Sequence, residues 1–261
     1  MKISIMSQTD REVKFIVEGI RPAFANSLRR AIMGEVPIMA ISTVEFSAND
    51  SVLYDETIAH RLALVPLTFD PKNYNMPNEC KCEGKGCSQC QVTLVIDKKG
   101  PTTVYSKDLK SSADDVKPML PDIPIVELAE GQKLKLEAVA KLGLGKIHAK
   151  WQAAKVGYRY YPEAQTEGKI SNAEELVKIC PKNAITAKDG NILISEECDT
   201  CQECVRAAKP EGSLIVKGNP NKFIFTIESI SGLNAADIVS LAIDVLREKA
   251  KEFGKQVKGL K

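Results

Sequence analysis

The sequence is poor in the residues that do chemistry on a substrate. Only two histidines occur, His60 and His148, with a single tryptophan and 5% aromatic residues in all. Neither histidine stands at ligand spacing from the other. No Ser-His-Asp set, paired catalytic acids, phosphate-binding loop or dinucleotide glycine motif is present, so no catalytic residue is expected in this chain. An excess of one charge is missing too. Lys and Arg total 36 against 34 acids, a net charge of +2, which argues against a nucleic-acid coat or a polybasic membrane binder but not against local patches. No apolar run approaches the roughly 18 residues of a membrane span. The opening, MKISIMSQTD, lacks the continuous apolar core of a signal peptide, and a cytoplasmic location is expected.

What the chain does have is eight cysteines in two groups. A share of about 3% is far below that of a disulfide scaffold, and in a reducing compartment such clusters more often hold metal. In the second group, Cys198, Cys201 and Cys204 are spaced C-x-x-C-x-x-C, which sets three thiolates on one tight loop around a corner of an iron–sulfur cube. Cys180, followed by Pro181, supplies the fourth. In two-cluster bacterial ferredoxins, the Cys before Pro in one motif ligates the cluster held by the other motif. The triple that would precede Cys180 falls at Ile170, Ala173 and Leu176, none of them a ligand. One cluster site is thus complete and its twin lost. The segment resembles a bacterial-type ferredoxin domain carrying one [4Fe–4S] cluster, or a [3Fe–4S] form; a zinc knuckle or two disulfides are the alternatives.

The first group, Cys80, Cys82, Cys87 and Cys90, carries Gly84 and Gly86 inside it, which let the backbone turn sharply. Four thiols so placed could hold a tetrahedral zinc of structural type, because no position stays open for a substrate. Free thiols or local disulfides are the alternatives.

Periodicity predicts a hairpin at the start, with Ile3 and Ile5 leading to a turn at 8–10 and a return over 13–17. A helix follows, with Pro22 in its first turn, Gly34 past its end, and a stripe of Phe24, Leu28, Ala31 and Ile32. An extended segment runs from Pro37 to about Phe46. A shorter helix capped by Asp55 carries Ile58 and Leu62 and stops before Pro66. Strands are expected over 92–96, 102–105 and 134–139, then short helical and turn segments over 168–212, then strand through Phe223, Phe225 and Ile227. The last helix is expected from Ala235 to about Phe253, with Asn234 as N-cap, Gly254 past its end, and a stripe of Ile238, Leu241, Val245 and Leu246. Strand-plus-helix segments at both ends imply one domain built from both termini, with others inserted into it. A basic and aromatic stretch, from Lys146 through His148, Lys150 and Trp151 to Lys155, Tyr158, Arg159, Tyr160 and Tyr161, reads either as a single-strand nucleic-acid platform or as a β-ribbon docking on protein. The balanced charge favours the second.

The segments 26–33, 35–41 and 59–67 (NSLRRAIM, EVPIMAI and AHRLALVPL) resemble the dimerisation domain of RNA polymerase α subunits. Lys146 to Trp151 with Tyr158-Arg159-Tyr160 looks like the insert-domain segment of the archaeal and eukaryotic versions. Together with the ferredoxin-like segment, the chain resembles the α-like subunit family of archaeal RNA polymerases over nearly its whole length. The resemblance implies an α+β fold in three parts: an α-like dimerisation domain (1–40 and 225–261), a β-rich insert domain (41–166 and 213–224), and a small ferredoxin-like iron–sulfur domain (167–212). It implies a non-catalytic assembly subunit that pairs with subunit L through Phe24, Leu28, Ile32, Ile238, Leu241 and Val245, then recruits subunits N and P and the two large catalytic subunits. Arg29 and Arg30 would face a large subunit, and the magnesium site and nucleotidyl transfer would belong to the large subunits, with no direct nucleic-acid contact by this chain. The rival reading is an electron-transfer iron–sulfur protein, although no flavin, nicotinamide or second-cluster signature accompanies the motif.

Overall fold

The computed structural model describes residues 1–188 and 191–259. In chain order the elements are β1 (Lys2–Gln8), β2 (Glu12–Glu18), α1 (Pro22–Gly34), β3 (Pro37–Asn49), α2 (Asp55–Ala63), β4 (Gln91–Lys99), β5 (Thr102–Tyr105), β6 (Lys110–Ser111), β7 (Pro124–Leu128) and β8 (Lys133–Leu144). There follow β9 (Ala154–Thr166), α3 (Ala173–Ile179), β10 (Ile185–Lys188), β11 (Asn191–Ile194), α4 (Glu203–Ala207), β12 (Leu214–Ser229) and α5 (Ala235–Lys258). This is a mixed α+β chain. It divides into two compact units, one of Met1–Ser7, Lys14–Asn26 and Gly157–Thr226, the other of Gln8–Val13, Ser27–Val156 and Ile227–Lys261. Among the described residues, no helix is long and apolar enough to cross a membrane.

The first unit is organised on a sheet in the order β1-β2-β12-β9. Phe15 stacks on Phe225 with ring centroids 5.3 Å apart, and Tyr158 meets Phe223 and Phe225 at 5.6 and 5.5 Å. Successive strand side chains point to opposite faces, so these rings share one face while Lys14 and Arg159 stand on the other. Between β9 and β12 the chain makes a small excursion with its own core. It contains α3, the hairpin β10–β11 and α4, closed around Leu176, Ala184, Ile185, Leu214 and Val216. Short helices and turns were expected here, and the hairpin, pairing Ile185 with Ile194 and Lys188 with Asn191, was not. Its strands are four residues each, too short for alternation to announce them.

The second unit holds a sheet in the order β3-β8-β4-β6 and a ribbon of β5 and β7. Ile38, Met39, Ala40 and Ile41 are all at most 2% exposed, so the start of β3 is buried on both faces and reads as a continuous apolar run. Ile58 and Leu62, one helical turn apart, are fully buried on α2. A side chain at Gly145 would sit 2.1 Å from the Met33 carbonyl oxygen, so only glycine lets the exit of β8 pass the end of α1. Glu35, just past that helix, joins Lys146 at 3.0 Å and Lys249 of α5 at 2.8 Å.

Several local expectations need correction. Tyr54, not Asp55, occupies the N-cap of α2, and Asp55 lies in the first turn, where its charge still favours the helix dipole. Asn234 stands at the N-cap of α5, but its side chain makes no capping bond. Gly254 does not end α5, which continues to Lys258; an internal glycine costs only about 1 kcal/mol against alanine, and its neighbours are good helix formers. On α1, Phe24 is exposed and Ala25 buried, so the core-facing stripe begins one residue later.

Candidate metal centres

The first cysteine group sits in the turns just before β4 in the second unit. Its stem is pinned by the Asn75 N–H donating to the Gln89 carbonyl at 2.8 Å. Nearby, the Tyr74 hydroxyl donates to Asp115 at 2.8 Å; burial and that carboxylate push the phenol up to about 12. Glu83, Gly84 and Gly86 all adopt positive φ, at 54°, 78° and 99°, which wraps the chain tightly enough to turn four sulfurs inward. The Cys80–Cys87 and Cys82–Cys90 sulfurs are 3.5 Å apart and Cys87–Cys90 3.8 Å. All four lie within 4.8 Å of one another. No pair is bonded. A zinc–sulfur bond of about 2.3 Å in a tetrahedron puts ligand sulfurs about 3.8 Å apart, so this arrangement suits one ion. The backbone N–H of Gly86, then the Cys90 thiol, bring Cys82 down to about 6, whereas burial pushes Cys90 up to about 12. One thiol is therefore ready as thiolate near neutral pH, and a metal would displace the remaining protons.

The second group is built differently. Cys180, at the end of α3, and Cys198, Cys201 and Cys204, from the loop into α4, line one small pocket. Among the described residues, no second set of sulfurs converges as tightly as the first group. Ile185, Val216 and Pro181 supply apolar wall. Thr200 and Gln202 take left-handed backbone, at φ 59° and 70°, and such strain in non-glycine residues gathers at sites that hold a ligand. Backbone N–H groups already point at sulfur: Ala184 donates to Cys180 at 3.3 Å and Thr200 to Cys198 at 3.4 Å. Burial raises the Cys198 and Cys204 thiols, so loading must expel protons there as well. Four cysteines that line one pocket without converging as tightly as the first group are a donor set of the kind that holds a multi-iron cluster.

Ile170, Ala173 and Leu176 are buried at 4%, 9% and 0%, and join Ala208 in one apolar core. Aliphatic packing stands where a second ligand set would be.

The remaining site residues are dispersed. Leu28, Ile32 and Ile238 are buried within the chain itself, Leu241 and Val245 are half-buried, and Phe24 is exposed. Arg29 is half-buried and bonds Met33, while Arg30 is exposed. In the basic-aromatic stretch, Trp151 donates to the Lys141 carbonyl at 3.1 Å and carries the Lys150 ammonium over its ring at 4.4 Å. Tyr158 and Tyr160 pack on Phe223. These rings pack within the chain itself, whereas the expected β-ribbon placed them in an interface with another protein. Sequence reasoning missed Lys14 and Arg159 as neighbours of the cysteine loop, because nothing local links them to residues near 198.

Comparison with known proteins defines first a class. Residues 44–158 match the family described as the RNA polymerase Rpb3/RpoA insert domain. The chain is 42% identical to DNA-directed RNA polymerase subunit Rpo3 of Methanosphaera stadtmanae, over 96% of both chains. It is 41% identical to the Rpo3 of Methanothermobacter thermautotrophicus, over 97% of both, and 40% identical to that of Pyrococcus horikoshii, over 97% of this chain and 96% of the other. The chain belongs to the Rpo3 family of DNA-directed RNA polymerase subunits.

Proposed function

We propose that this chain is the assembly subunit of a DNA-dependent RNA polymerase, without catalytic residues of its own, and that it works in the cytoplasm. It pairs with subunit L as an α-like heterodimer, which then gathers subunits N and P and the two large catalytic subunits. Given the family, the observation that carries this reading is apolar surface left uncovered on the elements at the two chain ends. Ile3 and Ile5 of the edge strand β1 are 55% and 62% exposed. On α5, Ile243, Phe253 and Val257 are also exposed. Large apolar side chains of this kind on helix faces and an edge strand support burial against another subunit. The three-part division at residues 1–40 with 225–261, 41–166 with 213–224, and 167–212 belongs to the same reading.

In this reading Cys180, Cys198, Cys201 and Cys204 hold one iron–sulfur cluster, and Cys80, Cys82, Cys87 and Cys90 hold zinc. Both are structural. When bound, each group supplies covalent cross-links that order short segments with small cores of their own. Arg29 and Arg30 offer guanidinium forks to carboxylates of a large subunit.

Co-expression of the full chain with subunit L, followed by size-exclusion chromatography and addition of the remaining subunits, tests the proposal. A stable 1:1 complex that nucleates the larger assembly is expected. A chain that stays apart from L and from the large subunits, yet passes electrons to a redox partner, would establish the electron-transfer reading instead.

A further inference from the structure

Three consecutive residues lead into the second cysteine loop, and the sheet holds all three with cations. Arg159 of β9, half-buried, donates from Nη1 to the Cys198 carbonyl at 2.7 Å and from Nη2 to the Glu196 carbonyl at 2.5 Å. Between them, Glu197 pairs with Lys14 of β2 at 3.1 Å. Both cations project from the sheet face opposite the aromatic stack. A guanidinium can hold two acceptors at once in a fixed plane, which a lysine ammonium on a flexible stem does not reproduce.

We propose that Arg159 is a positioning residue of the iron–sulfur site, acting through the backbone of Cys198. Its two bonds fix the chain on either side of Glu197, so the Cys198 thiolate is held toward the cavity whether or not the other three ligands are engaged. Its positive charge also offsets the negative charge that four thiolates concentrate in one loop, and both effects belong to the outer-shell control of a metal centre. Lys14 assists through Glu197, but its charge is matched by that carboxylate, so it contributes position and little field. The inference rests on the reading of Cys180, Cys198, Cys201 and Cys204 as a cluster ligand set.

The test uses the full chain in complex with subunit L, purified without oxygen, as wild type, Arg159→Lys, Arg159→Met and Lys14→Gln. Iron and sulfide content, the rate of iron release to a chelator, and the midpoint potential followed by electron paramagnetic resonance are measured. Losing a hydrogen bond from a charged donor is expected to speed iron release about tenfold in both Arg159 variants. The potential should fall in Arg159→Met, which lacks the charge, and stay near wild type in Arg159→Lys. Lys14→Gln should release iron faster by a smaller factor at unchanged potential. If Arg159→Met does not fold, the release rate of Arg159→Lys decides alone. A loaded wild type whose Arg159 variants keep its release rate and potential overturns the positioning role. A wild type with neither iron nor sulfide overturns the cluster reading, and this inference with it.

Discussion

The two cysteine groups have the same four ligand atoms and close to opposite construction. In the first, a run of left-handed residues folds eleven positions into a knot whose sulfurs nearly touch, with spacings of 3.5–3.8 Å. In the second, cysteines from the end of α3 and from the loop into α4 line a small pocket without converging as closely, backed by an apolar core and gripped from the sheet by Arg159. The difference teaches that ligand identity alone does not select a metal centre. How closely the backbone brings the sulfurs together, and what supports them, differs between the two groups.

The largest expected effect sharpens this contrast at the second centre. Replacing Cys201 and Cys204 together by Ser should abolish iron binding and lower the yield of heterodimer with subunit L by about tenfold or more, because the segment then relies on a core too small to order itself. Metal analysis beside a pull-down measures both. Normal heterodimer yield without iron would end the structural reading of the cluster.

Next in size is the apolar core around Ile170, Ala173 and Leu176. Leu176→Ala should cost about 2–5 kcal/mol of stability for the 167–212 segment, since Leu176 is fully buried there. Chemical denaturation followed by the cluster's absorbance reads this, and a change below about 1 kcal/mol would show that the core has slack to collapse. At the first centre, Cys87→Ser should remove about one zinc per chain and disorder the 76–90 turn region, leaving the heterodimer intact. Hydrogen exchange confined to that region is the expected signature, and protection lost throughout the chain would make the two centres alike after all.

The smallest effect lies at neither centre. Burial alone would raise the Glu35 carboxyl, but bonds and charge from Lys249 and Lys146 outweigh it and hold the group below its ordinary range. A carboxyl depressed by folding stabilises the protein above its unfolded value and loses that contribution as pH falls through the folded value. Glu35→Gln should therefore reduce stability slightly at neutral pH and leave it unchanged in strong acid. Equal losses at both pH values would assign the effect to packing.

Much of this was legible in the sequence. Alternation gave the opening hairpin and β4, and the 3.6-residue pattern gave α1, α2 and α5, because each of these elements buries one face over enough residues to leave a period. The cysteine spacings marked two groups, of which Cys80, Cys82, Cys87 and Cys90 converge, and the apolar residues at 170, 173 and 176 lie in a buried core. Other features left no local trace. The end of α5 was misplaced because tertiary and helical context overrode one glycine. The β10–β11 hairpin was too short to show a period. The grip of Arg159 on residues 196 and 198 joins positions about forty apart, and no spacing rule connects them. The convergence of the sulfurs of Cys80 to Cys90 is likewise a matter of backbone geometry, with Glu83 and two glycines at positive φ.

The contrast between the two centres is tested most directly by iron, sulfide and zinc analysis of the full chain purified without oxygen. The account predicts about four iron and four inorganic sulfide per chain, or about three and four for the smaller cluster, together with about one zinc that Cys87→Ser removes without loss of iron. Two zinc ions per chain and no sulfide would contradict it.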